Sequence, residues 1–417
     1  MPRPFLVIVL LLTPATLDAG DKPAAKLRSP SGTLLQRGAD KWLTPMLYDA
    51  VPAEAQLVAL PGARAILEIK EGDVRLVLAG NLPALSPTPV LESVVKLQAP
   101  AAGHDLEFTL ERGRVLIESH KDTGLVKIRA RIQGKDLDFD LLNKNTVVAL
   151  ELFSRWPVGA PFFKKPEADH KPIGELIFLV VRGKAEVELN KQKQPLQGPA
   201  MYQFNTQRGV EGPLALKKAP DWVNPPLDQP ESVKTLQAAV EKLRRGIADQ
   251  GAMPALAKAQ ASKETSLTVV ATYSGIAVDN LAAGITALKS DKSKDVRMAG
   301  VGALTHYIGR GSAEDIRLYE TLVADKLKPG QASIIIELLH GMSEEARLRP
   351  ETYSTLITYL ENDQLAIREL AAMNLNNLVP QGKDIAFDAA AASAQRAQAQ
   401  AAWRKLIPEG QVPKMAN

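Results

Sequence analysis

The hydrophobic pattern of this chain changes once, and the change falls at a proline-rich segment. From about Ser31 to Pro220, apolar residues alternate with polar ones, which is the period of a β-strand. After Pro230 they recur every three or four residues, which is the period of an α-helix. The segment between them, Ala219–Pro230, has four prolines in twelve residues and can continue neither a helix nor a central strand.

The predicted fold class is therefore multidomain, with an antiparallel β-sandwich or β-roll followed by an all-α helical-repeat array. We place a signal peptide at residues 1–19, the β domain at 20–218, the linker at 219–230 and the helical domain at 231–417. A chain of 417 residues is long enough for two or three ordinary domains. The sequence has no cysteine, so no disulfide can contribute to the stability of either domain.

Short turns predict hairpins within the β region. Alternation on both sides of Glu71-Gly72-Asp73 predicts the first, and similar patterns around Arg112-Gly113 and Gly134 predict two more. The stretches Glu111–Glu118 and Val181–Glu188 are alike, which suggests an internal duplication. We expect an antiparallel sheet structure whose outer face is charged.

Two helical segments share an order of residues, and their equivalent positions are 71 residues apart. Asp295–Leu304 and Ala366–Leu375 both contain a branched aliphatic residue, an arginine, a small residue and a leucine. At about 100° per residue the apolar members form one stripe, and the arginine lies at its edge, within reach of a neighbouring turn. Asn374 lies at the edge of the same stripe. We expect its amide to bond a carbonyl within the array, the alternative being contact with a bound chain.

This order resembles the inner helix of a HEAT-type repeat, and the spacing fits two units of about 35 residues. The resemblance implies an array that binds partners and seldom performs chemistry. The helical period also predicts one helix over Leu267–Leu288 and an alanine-rich last helix for which Asp388 supplies the N-cap. Trp403, near the end of that last helix, is expected to pack inward. The residues expected outside the buried stripe are Arg310, Glu369 and Asn376, and they form the candidate interaction surface. Charge reversal at Glu369 and Arg310 is expected to weaken partner capture without changing the melting temperature.

The run Gln56–Ala65, followed by a hairpin and by Leu110-Glu111-Arg112-Gly113-Arg114-Val115, resembles the periplasmic β domain of FecR-type proteins. The resemblance covers roughly residues 31–220 and implies the fold of that domain. FecR-type regulators also carry a cytoplasmic anti-sigma segment and a membrane helix before the β domain, and we find neither in this sequence. The fold is therefore implied more directly than the signalling role.

The first twenty residues have the layout of a secretory signal peptide. One arginine precedes the apolar run Phe5–Leu12, and small and polar residues follow, with cleavage expected after Ala19 or, as the alternative, after Ala15. A run of eight apolar residues is too short to span a membrane that needs about 20. The pattern predicts a bacterial periplasmic or secreted protein with no membrane span in the mature chain.

The sequence offers little catalytic chemistry. Ser93-Val94-Val95-Lys96 has the Ser-x-x-Lys spacing of penicillin-recognising enzymes but lies in strand-like sequence without their companion motifs. Asp136, Asp138 and Asp140 alternate with apolar residues, as on the solvated face of a strand. The histidines are too scattered to predict a metal site, and they are His104, His120, His170, His306 and His340. We predict no catalytic residue, no cofactor and no metal.

The leading functional hypothesis is a non-catalytic exported binding or scaffold protein that contacts other proteins or the cell envelope. A FecR-type regulator acting with a membrane partner is one alternative, and an envelope glycan hydrolase with unidentified carboxylates is another. A carbohydrate-binding module is disfavoured because only 5% of the residues are aromatic. The net charge of +4 is small and interspersed, so nucleic acid is not an expected partner.

Overall fold

The computed structural model describes residues 24–82, 90–167, 169–225 and 228–413. Within these ranges seventeen strands lie between residues 25 and 215, and eleven helices follow between residues 231 and 406. The predicted order of a β region followed by a helical region is confirmed. The predicted signal peptide lies outside the described residues.

The strands form two facing sheets. In spatial order, sheet A consists of β4 (Ala50–Val51), β1 (Ala25–Leu27), β6 (Arg64–Ile69), β7 (Val74–Ala79), β9 (Leu106–Ser119), β12 (Val147–Arg155), β13 (Ile173–Arg182), β16 (Ala200–Asn205) and β17 (Gly209–Ala215). Sheet B consists of β3 (Trp42–Leu43), β2 (Leu34–Arg37), β5 (Gln56–Ala59), β8 (Ser93–Gln98), β9, β10 (Val126–Ile132), β11 (Lys135–Leu141), β14 (Lys184–Leu189) and β15 (Gln192–Gln197). Neighbouring strands are antiparallel except β9 and β10. Apolar side chains of both sheets meet between them, as in the edge-to-face pair of Phe139 and Phe178 with ring centroids 5.2 Å apart.

Strand β9 belongs to both sheets because it bends at Gly113. Its first half pairs with β8 and β10 in sheet B, and its second half pairs with β7 and β12 in sheet A. Gly113 has a φ of 101°, and a Cβ there would lie 2.3 Å from Cα of Ser93, so the bend requires glycine. The hairpin predicted at Arg112-Gly113 is wrong, since the chain crosses between sheets there without reversing. The other two hairpins are confirmed as β6–β7 and β10–β11.

The same kind of crossing recurs at Gly183, where the chain passes from β13 in sheet A to β14 in sheet B. Gly183 has a φ of 78° and packs against Thr146. At both crossings the next backbone N–H donates to a buried hydroxyl. Arg114 N donates to Ser93 Oγ at 2.8 Å, and Lys184 N donates to Thr146 Oγ1 at 3.4 Å. The two stretches that are alike in sequence therefore also share a local geometry.

The helices form stacked pairs. Their bounds are α1 (Glu231–Gln250), α2 (Ala252–Gln260), α3 (Thr265–Ala277), α4 (Leu281–Leu288), α5 (Lys294–Ile308), α6 (Ser312–Ala324), α7 (Pro329–His340), α8 (Glu344–Arg347), α9 (Pro350–Tyr359), α10 (Leu365–Leu378) and α11 (Ser393–Leu406). In the first layer α3, α5, α7 and α10 contact one another in that order. The second layer contains α4 on α5, α6 on α7, α9 on α10, and α11 on α9. Trp403 of α11 is buried, as the sequence predicts.

Two helix predictions are wrong. The segment 267–288 was expected to form one helix, but it divides into α3 and α4 at Asp279, which has a φ of 63°. Asp388 was expected to cap the last helix, which instead begins at Ser393. Asp388 accepts hydrogen bonds from the backbone N–H of Ala390 and from Arg297.

The outer faces of the sheets are partly covered, contrary to the expectation of a charged outer face. Val223, in the predicted linker, packs on the outer side of sheet A, and neighbouring Trp222 stacks 4.5 Å from the Arg114 guanidinium. On sheet B, Leu35, Val58 and Val94 lie in one apolar cluster with α1, α2 and α3. The strands and helices therefore share a hydrophobic core, which fixes their relative positions.

Candidate functional site

A buried carboxylate, Glu92, joins the β region to the helices. It immediately precedes β8 and is completely buried. Arg112 of β9 binds one of its oxygens, His306 Nε2 lies 3.0 Å from Oε2, and Arg310 Nη2 donates to Oε1 at 2.7 Å. Burial alone would raise the pKa of Glu92, but His306, Arg310 and Arg112 outweigh it and hold that pKa well below its ordinary value. Glu92 thus stays ionised and ties sheet B to the end of α5.

A second junction is made by the chain after β12, which runs over α6 and α7. Trp156 Nε1 donates to Ile308 O at 2.9 Å, and Gly159 N donates to His340 O at 2.8 Å. His340 Nδ1 donates in turn to Ala160 O at 2.7 Å. Residues 156–160 therefore clamp the ends of α5 and α7.

Both ring nitrogens of His340 face oxygen acceptors. Nδ1 faces Ala160 O, and Nε2 lies 3.2 Å from Asp315 Oδ2. A carbonyl oxygen only accepts, so Nδ1 carries a proton. Nε2 and the carboxyl group then form a hydrogen bond only if the pair holds one further proton. Burial raises the pKa of Asp315, although the hydrogen bonds from His340 and Trp156 oppose that effect.

This arrangement predicts a pH-dependent contribution to stability. The folded-state pKa of Asp315 is raised above its ordinary value. The contribution of Asp315 to the free energy of unfolding is therefore complete below the ordinary aspartate pKa and is lost as pH rises through the folded-state pKa. In Asp315→Asn the amide donates to His340 Nε2 without the extra proton. Urea unfolding between about pH 4 and pH 8 measures the free energy of unfolding of both proteins. The value for the wild type minus the value for the variant should decrease as pH rises. A constant difference between the two proteins would contradict the assignment. The other titratable groups facing the pair are Glu337 and His170.

The two similar helices α5 and α10 meet through a buried ion pair. Arg297 Nε donates to Glu369 Oε2 at 2.5 Å, and Arg297 Nη2 donates to Asp388 Oδ1 at 2.6 Å. The side chains of Arg297 and Glu369 are 1% and 4% exposed, whereas that of Asp388 is 58% exposed. Arg297 thus links two helices and the segment before α11.

The arginine of each similar helix also reaches a preceding turn, as the sequence predicts. Arg297 Nη1 donates to Ser290 O at 3.2 Å, and Arg368 Nη1 donates to Asn362 O at 2.6 Å. These bonds satisfy carbonyls that precede each helix.

An open groove of about 1120 Å³ lies over the Arg297–Glu369 pair, between α10, α11 and the segment 383–388. Its larger apolar side chains are half-buried, and they are Met298, Met373, Ile385 and Phe387. The last three pack on the helical core. A smaller cleft of about 540 Å³ shares Asn377 and Lys383 with the groove and continues past exposed Leu348 and Val412.

Four exposed side-chain amides line this groove. Asn376 and Asn377 lie in the last turn of α10, and Gln395 and Gln398 lie in the first turns of α11. None of the four has a hydrogen-bond partner among the residues that the structure describes. Each amide can donate and accept at once, so the groove presents matched hydrogen-bonding groups beside an apolar floor.

The structure brings together two of the three residues of the predicted interaction surface. Asn376 is exposed in the groove, as expected. Glu369 lines the same groove, but the expectation that it is exposed is wrong, because it is 3% exposed and paired with Arg297. Arg310 is not in the groove. Its side chain is 11% exposed and bonds Glu92 and Asp279, so the expectation that it lies on an open surface is also wrong.

Asn374 has the structural role that the sequence favoured. It is buried, and its Nδ2 donates at 2.9 Å both to Leu338 O, near the end of α7, and to Leu370 O. We expect Asn374→Ala to lower the free energy of unfolding by about 1–3 kcal/mol, since it leaves the Leu338 carbonyl without this donor. Chemical denaturation measures the loss, and partner binding per folded molecule should be unchanged. A wild-type stability would show that water replaces the amide.

The sequence motifs considered for catalysis occupy structural positions. Ser93 Oγ is buried 2.7 Å from Ala79 O, while Lys96, three residues along the same strand, pairs with Glu54. Asp138 accepts two hydrogen bonds of 2.7 Å from Arg129 on the neighbouring strand. Among the described residues no group of three or more acidic or histidine side chains could hold a metal ion. No helix in those ranges is long and apolar enough to cross a membrane.

Comparison with known proteins identifies no relative, since no protein-family model matches the chain and no curated protein is significantly similar to it. The class of the protein is therefore given by its architecture alone. It has a β region of two facing sheets followed by stacked helix pairs, with a polar groove at the far end of the stack.

Proposed function

We propose that this chain is a non-catalytic binding protein that holds an extended polypeptide segment in the groove between α10 and α11. The observation that supports the proposal is the set of four unpartnered amides, Asn376, Asn377, Gln395 and Gln398, beside an apolar floor. A peptide backbone presents alternating donors and acceptors, which side-chain amides complement on both counts. Met373 and Phe387 would receive an apolar side chain of the bound segment.

The shape of the groove favours an extended segment over a compact ligand. The groove is open along its length and continues into the cleft that contains Leu348 and Val412. Its lining contains no tryptophan or tyrosine, and its phenylalanine, Phe387, is half-buried, so it lacks the exposed aromatic platforms that sugar rings stack on. Its ionisable residues include the cationic Lys294 and Lys383 and the anionic Asp384 and Asp388. Binding should therefore depend little on the net charge of the peptide.

We extend the proposal to the rest of the chain. The two bent crossings at Gly113 and Gly183 support a FecR-like β region, and the stacked helix pairs support a HEAT-like array. The β region then serves as a scaffold, because Glu92 and the segment after β12 hold the helices rigidly. The pattern of residues 1–19 supports export, so the peptide partner would be an envelope or extracellular protein.

The test is selection of peptides from a random display library on the whole mature chain, followed by affinity measurement for one selected peptide. Asn376→Arg combined with Gln398→Arg fills the groove with exposed side chains and should weaken binding about tenfold or more. Gln237→Arg is the matched control, because Gln237 is an exposed helical amide on α1 outside the groove. Equal affinity for the groove variant and the control would refute the proposal.

A further inference from the structure

In the second half of the β region, the hydrophobic core between the sheets is open to solvent at one end. A cleft of about 460 Å³ lies there between the two sheets, at the ends of β10, β11, β13, β14, β16 and β17. Sheet B contributes Ile132, Leu137 and Leu189 to its walls, and sheet A contributes Leu152, Leu176, Phe204 and Val210.

The walls of this cleft continue the core rather than lying on a surface. Ile132, Leu137, Leu152 and Leu176 are all less than 10% exposed and belong to the cluster between the sheets. Exposure rises toward the mouth, where Val210 is 53% exposed. An apolar group entering the cleft would therefore be covered by apolar side chains of both sheets.

The mouth is bordered by neutral hydrogen-bonding side chains on two tight turns. Gln133 follows β10 and Asn190 follows β14, and both have left-handed φ values, of 49° and 52°. A Cβ on Gly174 would lie 2.4 Å from Gln133 Nε2, so the Gln133 side chain extends from the sheet B turn to the start of β13 in sheet A. Within the described ranges neither amide has a hydrogen-bond partner.

The charges around the mouth nearly cancel. Lys135 and Glu188 carry opposite charges, and Asp136 is neutralised by Arg131, whose Nε donates to it at 2.8 Å. Because these charges balance, the mouth favours neither an anionic nor a cationic ligand. A site with apolar walls, a few convergent polar groups and a volume of several hundred Å³ between sheets is typical of small-molecule binding.

We propose that this cleft binds a small uncharged amphipathic molecule, with an apolar body between the sheets and a hydroxyl or amide head at Gln133 and Asn190. The volume admits on the order of ten to fifteen carbon-sized groups, if each occupies about the 30 Å³ share of a water molecule. A medium-chain fatty alcohol has this chemistry. The site is separate from the peptide groove, and neither proposal depends on the other.

The test is fluorescence titration of the whole mature chain with N-phenyl-1-naphthylamine, an uncharged apolar probe, with 1-dodecanol as competitor. Saturable binding and displacement by 1-dodecanol are expected. Val210→Trp should fill the mouth and weaken probe binding about tenfold or more, a loss of about 1.4 kcal/mol or more. Leu214→Trp is the matched control, because Leu214 is 41% exposed on the same strand but does not line the cleft.

Three results would overturn the proposal. They are the absence of saturable probe binding, equal binding by the Val210→Trp and Leu214→Trp variants, and displacement by dodecanoate or dodecylammonium as readily as by 1-dodecanol. The first two contradict the site, and the third contradicts the uncharged head group. The groove variant Asn376→Arg should bind the probe normally, which separates this result from the peptide-binding test.

Discussion

Replacing Glu92 by glutamine is expected to lower the free energy of unfolding by about 3–5 kcal/mol. The substitution keeps the size of the side chain but removes the charge that Arg112 and Arg310 share. Both guanidinium groups would then lose their buried counter-ion, and only the partly exposed carboxylates of Asp279 and Glu111 would remain near them. Removing one partner of a buried charge cluster costs far more than removing a surface ion pair.

Urea denaturation of the Glu92→Gln variant measures this loss, with Glu111→Gln as the control. Glu111 also lies near Arg112, 3.9 Å from its Nη1, but it is one-third exposed, so its loss should cost less than about 1 kcal/mol. The depressed pKa of Glu92 adds a second expectation. Ionised Glu92 stabilises the folded protein fully above the ordinary glutamate pKa, and this stabilisation is lost only as pH falls through the lower folded-state pKa of Glu92. Similar losses in both variants would show that water screens the cluster.

The shared junction also changes the expectation for proteolysis. The sequence predicts cleavage between Ala219 and Pro230 into a β fragment and a helical fragment that each keep their structure. Val223, within that segment, is buried against sheet A, and Leu35, Val58 and Val94 share a cluster with the first helices. Separation would expose these side chains to water, so we now expect cleavage to destabilise both fragments.

The periodicity of hydrophobic residues predicted most strands and helices because it depends only on residues that are close in sequence. It could not distinguish a hairpin from a crossing at Gly113, because a strand alternates identically whether the chain reverses or passes to a facing sheet. The difference depends on which strands pair with the second half of β9, which are β7 and β12, and β12 follows β9 in the chain. The helix predicted over residues 267–288 is interrupted at Asp279. The cause is local, because Asp279 has a left-handed φ that the sequence did not reveal.

The candidate site was predicted only in part, again for reasons of sequence distance. Asn376 was predicted correctly because it lies outside the buried apolar stripe of α10. Arg310 and Glu369 were misplaced because the groups that bury them, Glu92 and Arg297, are 218 and 72 residues away in sequence. Gln395 and Gln398 were missed, although amides three residues apart near the start of an alanine-rich helix were a usable signal.

The second large effect is expected at the Arg297–Glu369 pair. Arg297→Met should lower the free energy of unfolding by about 3–5 kcal/mol, because the buried Glu369 carboxyl group would lose the partner that compensates its burial. Glu369→Lys, first considered as a test of partner contact, should be at least as damaging, since it places two cations together beneath the groove. The melting temperature of the Glu369→Lys variant should therefore fall, contrary to the expectation from sequence.

A double-mutant cycle separates the charge effect from lost packing. Arg297→Met combined with Glu369→Leu removes both charges and keeps side chains of similar volume, so it should recover most of the stability lost in Arg297→Met. Asp388 loses its partner in both proteins, but it is largely exposed and water can solvate it. Additive losses in the double variant would mean that the methylene packing of Arg297, rather than its charge, joins α5 to α10. Since both side chains lie beneath the groove, peptide affinity per folded molecule should be retained in the double variant if the amides alone hold the peptide backbone.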